Sequence, residues 1–69
     1  MIIALQKIRR KRGWTQGELS KRSTVPQPMI CEIENGVTKN PGVITMHRLA
    51  KALRCTVDDL IEEDDNATN

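Results

Sequence analysis

The chain has 69 residues, enough for one small domain that buries only about 60% of its unfolded surface. Trp14 is its only aromatic residue and His47 its only histidine, so the core must be aliphatic and a walled-off catalytic pocket is not expected. The formal net charge is +2, yet all 11 Lys and Arg fall in residues 1–54 against three acids, while residues 55–69 hold six acids and no base; such segregation suggests a polyanion-facing body with an acidic end.

Apolar periodicity predicts five short helices and no strand. The first runs from about Ile2 to Arg12: Leu5 and Ile8 are at helical spacing, bases fill the last turn where the helix dipole favours them, and Gly13 supplies the stop. The second opens on a capping box, Thr15-Gln16-Gly17-Glu18, flanked by Trp14 and Leu19 as a hydrophobic staple, and ends near Arg22. The third carries Ile30 and Ile33 and stops at Asn35-Gly36. Its entrance holds Pro26 and Pro28. Because a residue before proline is pushed toward extended conformations, Gln27 is expected as the N-cap and Pro28 at the first helical position.

The fourth helix is expected over Val43 to Leu53, with Val43, Met46, Leu49, Ala50 and Leu53 as its apolar stripe. The fifth opens on a second capping box, Thr56-Val57-Asp58-Asp59, stapled by Cys55 and Leu60. The domain is therefore read as residues 1–61, and 62–69 as an acidic tail expected to be disordered.

Two cysteines do not make a disulfide framework, and with His47 they fall short of a zinc site, so no metal or other cofactor is expected. The apolar start is too short for a signal peptide, and there is no transmembrane run. A cytoplasmic protein with reduced thiols and no membrane association follows. Cys55 is placed in the core and Cys31 near the exposed face of the third helix, where no surrounding charge marks it as a reactive thiol.

Helix, short turn, helix over residues 15–34 is the helix-turn-helix arrangement. With Gly13-Trp14-Thr15-Gln16, Glu18-Leu19, Ile33-Glu34-Asn35-Gly36, Asn40-Pro41 and Leu49-Ala50-Lys51-Ala52-Leu53, the chain resembles the lambda-repressor/Cro-like (XRE-type) DNA-binding domains over roughly residues 3–61. The resemblance implies an all-α fold of five helices. It also implies glycine before Val25 and before Cys55, where this chain has Thr24 and Arg54; looser or differently shaped helix stops are expected there. Ser20 stands where the family favours alanine and is small enough to fit.

With Ile30 turned inward, the outer face of the third helix carries Pro28, Cys31, Glu32 and Asn35, with Gln27 at its tip and no Lys or Arg. The N-terminal end of a recognition helix enters the major groove. Gln27 is thus a candidate for adenine, Glu32 for the cytosine amino group, and Pro28 for a thymine methyl. Each of the three has a plainer reading as solvated surface or helix start. By resemblance, Gln16 touches a phosphate, and Asn35 with Thr38, Lys39 and Asn40 lies along the backbone. Arg10 is a candidate to add charge there.

The resemblance also implies an ion pair between Arg9 and Glu34, structural rather than base-reading. One such domain covers a half-site, so a homodimer on double-stranded DNA is expected, with Ile44, Val57 and Ile61 as candidate contacts. The leading functional reading is a sequence-specific DNA-binding regulator of transcription, a repressor acting by operator occupancy. The alternative is an interaction module, antitoxin-like or adaptor, that binds a protein partner.

Overall fold

The computed structural model describes residues 2–38 and 41–62. Their order is β1 (Ile2–Ile3), α1 (Leu5–Lys11), α2 (Gln16–Ser23), α3 (Gln27–Glu34), α4 (Val43–Leu53), α5 (Val57–Leu60) and β2 (Ile61–Glu62). The all-α architecture of five helices is present, with one addition. Ile2 and Ile3 do not begin α1; they pair antiparallel with Glu62 and Ile61. Ala4 N–H then donates to the Leu60 carbonyl at 2.7 Å, and Lys7 meets Glu62 at 3.4 Å. Glu62 is therefore part of the fold and not of the tail, whose residues 63–69 lie outside the described residues.

Each helix end has an identifiable cause. Thr15 accepts from the Glu18 N–H at 3.1 Å, but Glu18 does not reciprocate as the capping box predicts. Its carboxylate takes Arg22 at 2.7 Å instead, and the Arg22 guanidinium lies 4.5 Å from the Trp14 ring centre. An i, i+4 ion pair stacked on an indole outcompetes the return hydrogen bond. The second box is complete: Thr56 and Asp59 exchange bonds of 3.0 and 3.1 Å.

α3 begins one residue earlier than expected. Pro26 is its N-cap and accepts from Met29 and Ile30 N–H, so Gln27 is already helical and Pro28 is the second helical residue. Proline is tolerated there for the same reason as at the first position, since the early N–H groups have no intrahelical acceptor.

Thr24 and Arg54 adopt the left-handed conformation, φ 63° and 55°, that glycine takes at Gly13 and Gly36, φ 75° and 78°. The stops keep the usual shape without glycine. After α4, Cys55 N–H reaches Ala50 O and Arg54 N–H reaches Lys51 O, which closes a Schellman motif. Arg12 adds a bond from α1 to Leu53 O at 2.6 Å. After α2, Ser20 Oγ donates to Val25 O and Val25 N–H donates to Ser23 Oγ.

The core is aliphatic: Leu5, Leu19, Val25, Ile30, Ile33, Met46, Leu49, Ala50, Leu53 and Leu60. Trp14, Ile8 and Cys55 flank it, half-buried. Val43, assigned to the apolar stripe of α4, is 84% exposed. It starts the helix, a full turn before Met46, and lies beyond the edge of the core.

Candidate nucleic-acid interface

The position of α3 is set by one polar cluster. Arg9 of α1 donates from Nε to Glu34 Oε2 at 2.7 Å and from a terminal nitrogen to Oε1 at 3.0 Å. Its other terminal nitrogen donates to Trp14 O at 2.7 Å. Gln16, the first residue of α2, donates from Nε2 to Glu34 Oε1 at 3.0 Å. α1 and α2 thus both bond to the one carboxylate at the end of α3, whose side chain is wholly buried, with that of Arg9 9% exposed.

Burial alone would push the Glu34 carboxyl up. The hydrogen bonds from Arg9 and Gln16, with the charges of Arg9 and Arg10, outweigh it and hold the carboxyl below its ordinary value. Arg9 is correspondingly raised, chiefly by its bond to Glu34. A buried pair is worth having only when its remaining donors and acceptors are satisfied, and here no buried side-chain polar atom among the described residues lacks a partner.

With the inner side so fixed, α3 leaves Gln27, Pro28, Glu32 and Asn35 exposed. Gln27 does not project freely from the tip. A Cβ added to Gly17 would lie 3.7 Å from its Oε1, so the side chain leans over the first turn of α2. Cys31 is half-buried and accepts from Asn35 Nδ2 at 3.3 Å.

Gln16, a backbone candidate by resemblance, is half-buried and spends one amide hydrogen on Glu34, leaving the other for an outside acceptor. Arg10 is exposed and Thr38 half-buried. Lys39 and Asn40 lie outside the described residues. Among those described from Thr24 to Met46, the only charges are Glu32 and Glu34.

Of the dimer candidates, Ile44 is 70% exposed, whereas Val57 and Ile61 are half-buried and pack against the core. The structure does not bring the three together as one open surface. Met29, not singled out from the sequence, is 36% exposed beside α4, with Thr45 Oγ1 3.7 Å from its sulfur. His47 is exposed. Among the described residues no cluster of ligating side chains could hold a metal, and no helix is long and apolar enough to cross a membrane.

Comparison with known proteins agrees with this geometry. The chain is 43% identical over 47 residues, 68% of its length, to HTH-type transcriptional regulator y4dJ of Sinorhizobium fredii, and spans 60% of that relative. Its fold is similar to the N-terminal DNA-binding domain of SinR from Bacillus subtilis, with TM-score 0.81 and 21% identity over 88% of each chain. It is also similar to a chain of the SinR/SinI complex, with TM-score 0.85 and 21% identity, covering all of this chain and 68% of that one. A helix-turn-helix family model matches residues 5–60, and the chain belongs to that family.

Proposed function

We propose that the chain is a sequence-specific double-stranded DNA-binding regulator of transcription, a cytoplasmic repressor that acts by occupying an operator as a homodimer. The observation that carries the reading is the Arg9–Glu34–Gln16 cluster, which locks α3 against α1 and the start of α2 and leaves its outer face unobstructed. A rigid, presented helix is what groove recognition requires. Gln27, Pro28 and Glu32 then meet base edges, while Gln16, Asn35, Thr38, Lys39, Asn40 and Arg10 serve the backbone. Selection from random duplexes at two salt concentrations tests it. A single enriched motif whose affinity falls steeply with salt is expected, and no enrichment even at low salt would overturn the reading.

The second reading, a protein-interaction module, has its own support. From Thr24 to Met46 the described charges are acidic, and the large exposed apolar side chains lie between Met29 and Ile44. One of the structures similar in fold is that of a protein–protein complex. Failure of the selection would favour this reading.

A further inference from the structure

Three cations surround one hollow between the end of α2 and the later part of α4. Its volume is about 370 Å³, and it is lined by Arg22, Ser23, Thr24, Arg48, Lys51 and Ala52. Among the described residues no acid lines it. A second hollow, of about 310 Å³, sets Lys7 and Lys11 against Asp59 and Glu62, and Lys7 already pairs with Glu62. That one balances its own charge; the first does not. The first also stands apart from the proposed duplex contacts. Gln16 opens α2, whereas Arg22 and Ser23 close it about 10 Å further along the axis. Arg48 and Lys51 stand at and beyond the middle of α4, away from the end that follows residues 38–40.

The hollow is more than loose surface charge, because one of its cations is held in place twice. Arg22 Nε donates to Glu18 at 2.7 Å, and the guanidinium lies 4.5 Å from the Trp14 ring centre. Among the described residues its two terminal nitrogens make no hydrogen bond, which leaves a fixed fork for an outside acceptor. Ser23 borders the hollow and is 4% exposed. Its Oγ accepts from Val25 N–H at 3.2 Å, while its own O–H has no acceptor among the described residues. Arg48 and Lys51 are exposed and one turn apart, and neither is ion-paired among the described residues.

An arginine fork, a hydroxyl and two further cations suit the oxygens of phosphate groups. Three cations call for more than one negative charge, and the volume stands near the lower limit of small-molecule sites, about 300–1,000 Å³. The ligand must therefore be compact and highly charged. We propose that this hollow binds a small molecule bearing a diphosphate, with Arg22, Arg48 and Lys51 on its oxygens and Ser23 donating to one of them. A docked protein segment would need about 800 Å² on each side, far more than one hollow presents.

The proposal does not rest on the DNA-binding reading and is tested with inorganic pyrophosphate as the probe. Amide NMR spectra of the full chain would be recorded with pyrophosphate added to about 10 mM at constant ionic strength. Saturable shifts are expected at residues 22–24 and 48–52. Arg48→Gln and Lys51→Gln, both exposed, should each weaken binding about tenfold and leave the unfolding midpoint unchanged. Lys7→Gln, at the second hollow, should have no effect. Shifts that do not saturate, that spread equally to Lys7, Arg10 and Lys11, or that survive Arg48→Gln would overturn the proposal. Equal affinity for citrate would overturn it as well, by showing a site for charge and not for phosphate. A duplex that shifts the same amides and loses affinity in the same variants would assign these cations to DNA, and so reject the small ligand.

Discussion

Arg54 closes α4 at φ 55°, where a Cβ crowds the following carbonyl at a cost of about 1–2 kcal/mol. Its backbone bonds to the last turn are those glycine would make, and its side chain is exposed. Arg54→Gly should therefore stabilise the domain. The extra freedom glycine has when unfolded offsets about half the relief, leaving about 1 kcal/mol and a midpoint about 4–8 °C higher. A lower midpoint would mean that the arginine side chain holds something the left-handed backbone does not reveal. Gly17 offers the converse case. A Cβ there meets nothing closer than 3.7 Å, so Gly17→Ala should gain about 0.5–1 kcal/mol of helix stability. Denaturant unfolding decides it, and a loss would show that Gln27 is seated too tightly over α2 to accept a methyl group. At this scale the sequence was partly legible. The helix ends near Thr24 and Arg54 could be read from the resemblance, but not the hydrogen bonds that accompany their left-handed closure, donated by Ser20 and Arg12 and accepted by Ser23, which local pattern does not display.

The elements are joined less by apolar stripes alone than by Glu34, which takes bonds from α1 and α2 at the end of α3. Glu34→Ala leaves Arg9 buried without its partner, and removing one member of such a pair costs about 3–5 kcal/mol. In a domain of this size that is a large share of the total stability, so unfolding and loss of DNA binding should appear together. Retained wild-type stability with lost DNA binding would show that Glu34 acts on the ligand and not on the fold. Titration gives an independent check. The Glu34 carboxyl is depressed in the folded state, so its stabilisation is complete above the ordinary value of 4.5 and is lost as pH falls through the lower folded value. Asp59, held down by its bonds to Thr56, acts with the same sign. Acid should therefore weaken the wild type below about pH 4.5, and Glu34→Gln should flatten that dependence. The helices were legible because apolar spacing and caps are local. The β1–β2 pair was not, since two residues give no period and their partners stand at the other end of the chain. Val43 misled because its spacing fits the stripe, while only packing shows where the core stops.

At the scale of the whole molecule the charge separation is the dominant feature. The body carries the bases, the acids cluster from Asp58 onward, and residues 63–69 contain three of the nine acids and no base. The outer face of α3 was legible in outline, since Gln27, Pro28, Glu32 and Asn35 are exposed as the pattern implied, whereas Cys31 on the same face is half-buried. That face carries no described cation, so attraction to phosphate must arise from the wider body. The three acids of residues 63–69 oppose that attraction by their charge. At charge separations of about 15–20 Å in water each charge pair is worth about 0.2–0.3 kcal/mol, so removing residues 63–69 should tighten DNA binding by on the order of 1 kcal/mol, several-fold, at low salt. The effect is one of field and not of contact. It should shrink as the screening length falls from about 30 Å at 0.01 M to about 3 Å at 1 M, with the motif preferred in selection unchanged. Titrating one duplex with the full and shortened chains across that salt range measures it. Equal affinities at low salt would show that the acidic end is too remote to matter. A difference that persists at high salt would mean that the tail touches the body or the duplex directly.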